Sequence, residues 1–388
     1  MSPVPPPDRS ADLDPDLARP PGAGACAEPG EPDRGTGGPT PHPQPTQPTQ
    51  LTHLGWDAGW EAARAAAAGL EGRPDLVPGR VVRADRRRAL VWTAAGAVHA
   101  VVDPDVTTGD WVLVGGEAVH AVLPRRATLV RGAGRKDTRA QVLAANVDVV
   151  LVVVALSTAP NPARLDRLLT LAWASGAQPV VVLTKADLCP TADSEREEVG
   201  EAAPGIPVLL TSVVDGRGLD EVRGRLAPGR TAALLGVSGA GKSSLVNALA
   251  GTELMAVAPI RADGKGRHTT AARELLVLPG LGVVLDTPGL RGVQLWESDT
   301  EGLERTFADV EALVTECRFR DCRHGSEPGC AVTAAVADGR LPARRFDSYT
   351  KLQREVAWLE SRYDARLRAE QRRRWRALAK SIQDRRHR

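Results

Sequence analysis

The chain has 388 residues, with 50 Lys and Arg against 48 Asp and Glu, and a formal net charge of +2. That balance gives no global signal for a nucleic-acid partner, and no apolar run approaches the ~18 residues of a membrane span. The five cysteines come without a secretory leader, so a reducing compartment, the cytoplasm, is expected, where thiols bind metal rather than pair as disulfides.

Residues 1–50 are crowded with Pro, Gly, Asp and Thr and hold no aromatic residue. Such a segment cannot bury enough apolar surface to offset its ordering entropy, and it reads as a disordered leader. Residues 51–78 read as a lead-in helix, from Gly55-Trp56 through Ala68, and a linker. Over 79–127, short β-rich runs (Ala89–Trp92, Val98–Val102, Trp111–Val114) alternate with turns such as Thr107-Thr108-Gly109-Asp110. That spacing predicts a small β-barrel.

Residues 136–296 alternate strand-like and helical runs, the pattern of an α/β nucleotide domain. Val147–Leu156 reads as a buried strand, and Pro179–Leu183 (PVVVL) as another that delivers Thr184-Lys185-Ala186-Asp187 at its carboxyl end. Open α/β sheets bind ligands at that end. The Asp187 carboxylate can accept from both the ring N–H and the exocyclic amine of guanine, while the Lys185 stem can lie along the base. Val208–Leu210 leads into Thr211-Ser212-Val213, where the Ser212 backbone can support the guanine oxygen. Leu219–Leu226 then reads as a short helix.

The next apolar run, Thr231–Val237, opens the phosphate-loop pattern Gly236-Val237-Ser238-Gly239-Ala240-Gly241-Lys242-Ser243. Its glycines let backbone amides wrap a phosphate, Lys242 neutralises the β- and γ-phosphates, and the Ser243 hydroxyl ligates Mg2+. Ser244–Ala250 reads as a helix whose positive end faces the same anion. Asp286-Thr287-Pro288-Gly289 supplies the magnesium and γ-phosphate turn. The guanine segment therefore comes about fifty residues before the phosphate loop, although it comes last in an ordinary GTPase. The order identifies a circular permutation, tolerable because domain termini usually lie at the surface and near each other. The γ-phosphate turn then leads directly into the C-terminal region, 297–388.

That region carries Cys317, Cys322, His324 and Cys330 in the spacing C-x4-C-x-H-x5-C. Three thiolates and an imidazole make a closed tetrahedral set, the mark of one structural zinc. Cys26 and Cys189 are isolated. Basic residues cluster at Arg86-Arg87-Arg88, Arg125-Arg126, Arg131/Arg135/Lys136 and from Arg362 to Arg388, where Trp375 lies inside a basic helical run. These clusters suit RNA phosphates and base stacking.

Gly264-Lys265-Gly266-Arg267-His268-Thr269-Thr270, Asp286–Gly289 and the segment CRFRDCRHGSEPGC (Cys317–Cys330) together resemble the ribosome small-subunit-dependent GTPase A family (RsgA/YjeQ type). The resemblance runs from about residue 51 to the end. It implies an OB-like barrel, a circularly permuted P-loop GTPase domain and an α-helical zinc-binding C-terminal domain. It also implies a monomeric factor in late small-subunit maturation, which binds rRNA in its GTP state and hydrolyses GTP on the subunit to trigger release. By the same resemblance the nucleotide site comprises Thr184–Asp187, Ser212, Gly236–Ser244, Thr269, Thr270, Asp286 and Gly289. Leu290 stands where many GTPases place the glutamine that orients water, so the resemblance nominates His268, with Lys242, as catalytic. A GTP-gated RNA-binding module with incidental hydrolysis remains a second reading. A metabolic P-loop kinase is a third, though no acceptor-substrate feature supports it.

Overall fold

The computed structural model describes residues 50–67, 73–103, 105–131, 141–255, 273–286, 299–325 and 327–359. The leader up to residue 49, the first-switch residues His268, Thr269 and Thr270, the turn residues Thr287–Leu290, and the basic run 362–388 lie outside the described residues.

The described chain opens with a 3-10 turn, Leu51–Leu54, ended by Gly55 at φ 95°. Helix α1 (Ala58–Ala65) follows, capped by Asp57, whose carboxylate accepts from the Trp60 amide at 2.9 Å. The lead-in helix is thus shorter than the expected 55–68, because the left-handed glycine and the aspartate cap delay its start. Trp56 and Trp60 pack against Trp111, with ring centroids 4.8 and 6.0 Å apart.

Five strands close the barrel: β1 (Val77–Asp85), β2 (Arg88–Thr93), β3 (Gly96–Val101), β4 (Trp111–Gly115) and β5 (Ala118–Val122). The circuit runs β1-β2-β3-β5-β4, with β1 pairing β4 and only β3–β5 parallel. This is the Greek-key closure of an OB-like barrel. Its interior is a separate apolar cluster built on Val81, Val91, Ala100, Val112 and Val114. A short antiparallel pair, β6 (Thr128–Arg131) and β7 (Gln141–Ala145), leaves the barrel. β7 pairs with β6 and takes no part in the large sheet.

Six strands form that sheet: β8 (Val149–Ala155), β9 (Gln178–Thr184), β10 (Val208–Leu210), β11 (Thr231–Leu235), β12 (Glu274–Val277) and β13 (Val283–Asp286). Their order is β10-β9-β8-β11-β13-β12, and all pair in parallel except β12. The runs VVLVVVA and TAALL are apolar at nearly every position because both faces are covered, so alternation is lost. Helices α2 (Pro162–Ala174), α3 (Ala192–Ala202), α4 (Leu219–Arg225) and α5 (Lys242–Ala250) are interleaved with the parallel strands. Asn161 caps α2 by accepting from the Arg164 amide at 3.0 Å, and Pro162 sits at its first position.

The C-terminal part contains α6 (Thr300–Thr306), α7 (Ala308–Thr315), α8 (Ala331–Ala337) and a helical segment over 343–359. It docks on α2. Gly302 fits so closely that a Cβ there would stand 2.4 Å from the Thr170 carbonyl oxygen. Arg345, 2% exposed, reaches from 343–359 to Asp166 of α2 at 2.7 Å and to Asp309 of α7 at 2.9 Å, and it donates to the Thr306 carbonyl at 2.6 Å. A half-buried flank adds an Arg167–Glu355 fork.

A second buried arginine joins barrel to sheet. Arg80 of β1 donates to the carbonyls of Leu54 and Asn146 at 2.9 and 3.1 Å and to the Thr231 hydroxyl, at the start of β11, at 3.2 Å. Its guanidinium also lies over the Trp111 ring, 4.9 Å from the centroid. With desolvation opposed only by the more distant Asp148 and Asp110, its pKa falls to about 10, still charged at neutral pH. The barrel turn 107–110 completes the joint, with the Thr108 hydroxyl donating to the Arg273 carbonyl at 3.3 Å.

Candidate nucleotide and metal sites

Parallel pairing brings the carboxyl ends of β9, β10 and β11 to one edge of the sheet. β11 ends at Leu235, two residues earlier than the expected Val237, because Gly236 turns the chain at φ 154°. A Cβ on Gly236 would stand 2.4 Å from the Val153 carbonyl oxygen of β8, so only glycine fits this turn. Val237, Ser238, Gly239 and Ala240 form the loop, and α5 begins at Lys242 rather than Ser244, with Gly241 in the left-handed region at φ 90°. No side chain caps α5. Its first amides, Lys242, Ser243 and Ser244 among them, have no acceptor within the helix, an arrangement suited to an anion. The Lys242 ammonium is held across the loop, donating to the carbonyls of Gly236 and Val237 at 2.8 and 2.7 Å.

The segment expected to read guanine meets this loop directly. The Thr184 hydroxyl, at the end of β9, donates to the Ala240 carbonyl at 2.6 Å. A side chain that opens the segment expected to read the base is thus tied to the loop expected to hold phosphate, a contact between residues fifty-six apart in sequence. Lys185 then takes a left-handed conformation, φ 60°, which swings Ala186–Leu188 into a 3-10 turn with Asp187 exposed. The Ala186 amide donates to the Thr211 carbonyl at 3.1 Å, fixing this turn against the loop after β10. Ser212 is fully buried there, and its hydroxyl accepts from the Val214 amide at 3.2 Å. Asp286 closes β13 next to β11. Gly289, His268, Thr269 and Thr270 lie outside the described residues.

The metal set assembles as its spacing suggests. The ligand atoms of Cys317, Cys322, His324 and Cys330 all lie within 4.8 Å of one another. The Cys317 Sγ is 3.6 Å from His324 Nδ1 and 3.9 Å from Cys330 Sγ, and Cys330 Sγ is 3.5 Å from His324 Nδ1. A tetrahedron with Zn–S near 2.3 Å and Zn–N near 2.05 Å has edges of about 3.8 Å between sulfurs and about 3.6 Å between sulfur and nitrogen. The donor chemistry and these spacings fit a thiolate-binding divalent metal, with Nδ1 as the imidazole ligand.

Electrostatics agree. Desolvation pushes the Cys330 thiol up, but the Thr333 hydrogen bonds and those of His324 and Cys322 outweigh it and bring it to about 6. Cys322 feels the lowering influence of the His324 amide, yet desolvation and the sulfurs of Cys330 and Cys317 drive it to about 11. Three crowded thiols cannot all ionise unless a cation sits among them. Cys330 also caps α8, accepting from the Thr333 amide at 3.5 Å.

The basic clusters divide. Arg86, Arg87 and Arg88 are exposed on the β1–β2 turn. Arg125 and Arg126, read from the sequence with the RNA-facing charges, instead have structural partners. Arg125 forks onto the fully buried Asp110 at 2.7 Å. Arg126 pairs with Asp57 at 2.6 Å and lies 4.0 Å above the Trp60 ring. These partners lie 15 and 69 residues away in sequence, which local charge counting cannot see. Arg80, Asn146, Asp166 and Arg345 were not singled out from sequence. The one available signal was a charged residue interrupting an apolar run, as Asp166 does in PARLDRLLTLAWA.

Comparison with known proteins places these features together. A family model described as RsgA GTPase matches residues 122–296. A protein of Streptomyces avermitilis named "Small ribosomal subunit biogenesis GTPase RsgA" is 51% identical over 341 residues, covering 84% of this chain and 90% of that protein. Among solved structures, YjeQ from Thermotoga maritima superposes with a TM-score of 0.55 at 26% identity, covering 73% of this chain and 99% of that one. YloQ, titled a circularly permuted GTPase, gives a TM-score of 0.53 at 24% identity, with 75% and 98% covered, and speaks for the fold.

Proposed function

This chain belongs to the RsgA GTPase family, and from that premise we propose that it is a GTPase of late small-subunit maturation, binding rRNA when loaded with GTP and leaving after hydrolysis on the subunit. The observation that carries the reading is the Thr184–Ala240 bond, which joins a guanine-reading segment to a phosphate loop in permuted order. Thr184–Asp187 and Ser212 hold the base, with Asp187 accepting from its two N–H groups. The loop Gly236–Ser244 wraps the phosphates, and Lys242 neutralises charge that grows on them during transfer. Ser243, Asp286 and one of Thr269 or Thr270 would hold Mg2+, which would neutralise phosphate charge. Gly289 contributes its amide to the γ-phosphate. Leu290 cannot orient water, and His268 is assigned that role.

The Cys3His set holds one structural zinc that stiffens the C-terminal part against α2. The partner is the small ribosomal subunit and its rRNA, met through the exposed Arg86–Arg88 turn and the basic run 362–388, and the protein works as a monomer in the cytoplasm. The relatives' names and the charge distribution support this reading. It is tested by co-sedimentation with purified small subunits in a non-hydrolysable GTP analogue, in GDP and without nucleotide. Tight association in the analogue alone is expected. Equal association in all three states would overturn nucleotide control.

A further inference from the structure

Two metal ligands, Cys322 and His324, are separated by a single residue. In an extended strand such residues face the same side, with Cα atoms about 6.6 Å apart. The chain instead turns left-handed at His324, φ 56°, one of four positive-φ non-glycine residues among those described. This backbone is uncommon for non-glycine residues, though histidine tolerates it better than most, and here a neighbouring group holds it. The enforcing group is Glu327. Its Oε1 accepts from the Arg323 amide at 3.1 Å and its Oε2 from the Gly325 amide at 2.8 Å. These are the two amides that flank His324. One carboxylate thus spans the turn, filling the kind of backbone concavity that binds anions elsewhere.

We infer that Glu327 is a positioning residue for the metal centre, clamping the amides on either side of His324 so that Nδ1 is presented to the ion with the three sulfurs. The inference rests on the reading of the Cys3His set as a metal site. The clamp acts on the backbone alone. The His324 ring is steadied separately by Phe346, whose ring meets it edge-on at 6.3 Å. Glu327 is not itself a ligand, because the four-donor set is complete without it. Its contribution is to lower the cost of ordering the turn when the ion binds, as supporting groups do around metal ligands.

The test uses the full chain and zinc alone, in competition with a chromophoric chelator, for the parent, Glu327→Ala, Glu327→Gln and Arg323→Ala. Glu327→Ala is expected to lose about 10- to 100-fold in zinc affinity. Glu327→Gln keeps one acceptor but turns an NH2 group toward the other amide, so its loss falls between parent and Ala. Arg323→Ala removes a side chain but not the clamped amide and leaves the affinity unchanged. Cobalt substitution gives a readout that general loosening would not move. The d–d bands of Glu327→Ala shift from the parent's four-ligand pattern as His324 is released, while guanine-nucleotide binding stays at the parent level. Parent-like zinc affinity and cobalt spectrum in Glu327→Ala would overturn the clamp while leaving the metal site standing. A parent chain that binds neither zinc nor cobalt would overturn both.

Discussion

Replacing Arg345 with Met keeps the length of the side chain but strips the buried joint between α2 and the C-terminal helices of its charge. Asp166, 1% exposed, then loses its ion-pair partner and keeps only the Ser348 hydrogen bond and the more remote charge of Arg344, and Asp309 and the Thr306 carbonyl lose their donor. Stacking of the guanidinium on Phe307, 4.4 Å from its centroid, is lost as well. Removing one partner of a buried pair costs about 3–5 kcal/mol, and in a chain of this size that lowers the melting temperature by about 4–7 °C. The double variant Arg345→Met/Asp166→Leu should recover most of this, because the penalty is the stranded charge rather than the missing attraction. Acid should also rescue the single variant. Burial already raises the Asp166 pKa, with Arg345 among the groups opposing it, so removing Arg345 raises it further. A carboxyl with a raised folded pKa binds more protons folded than unfolded, and stability therefore increases as pH falls through that raised value toward the ordinary range. Thermal unfolding of parent, single and double variants between pH 5 and 8 provides the measurement. A single variant within about 1 kcal/mol of parent, or a deficit that does not shrink in acid, would refute the account of this joint.

Asp187→Asn replaces an acceptor pair with an amide and should move preference from GTP toward xanthosine triphosphate, with GTP affinity falling at least about tenfold. Competition binding with the two nucleotides checks it, and unchanged GTP affinity would remove Asp187 from the base site. Cys322→Ala should reduce metal content from about one zinc per chain to a small fraction while nucleotide affinity stays within about twofold, as metal analysis and GTP titration would read. Deleting residues 362–388 should weaken subunit association and flatten its salt dependence, since fewer phosphates are neutralised. Normal association at every salt concentration would move the RNA contact elsewhere.

Much of the nucleotide domain was legible because its strands are short apolar runs ending in motifs. Val208–Leu210 matches β10 residue for residue, and Pro179–Leu183 lies within β9. Four thiol and imidazole donors that could hold a metal, within fourteen residues, were legible for the same reason, since proximity in sequence stands in for proximity in space. β1 was not read, because Pro78, Gly79 and Arg80 look like a turn. They form a strand because β1 pairs with both β2 and β4, and Arg80 finds the Leu54 and Asn146 carbonyls and the Thr231 hydroxyl across the joint. β5 escaped because AVHAV is half-exposed and too short to show a period. The structural duty of Arg125 and Arg126, the Asp166–Arg345 pair and the Thr184–Ala240 bond all depend on long-range partners that no local window contains. Local chemistry was readable, and the joints between the parts were not.

The central claim, that this GTPase is built to act on the small ribosomal subunit, is tested most directly by GTP turnover of the purified chain with and without small subunits. Slow intrinsic turnover is expected, because Leu290 leaves no glutamine to orient water, with strong stimulation by the subunit that His268→Ala reduces while sparing association. Turnover that does not respond to the subunit, despite GTP-dependent association, would contradict the account and leave an RNA-binding switch whose hydrolysis is incidental.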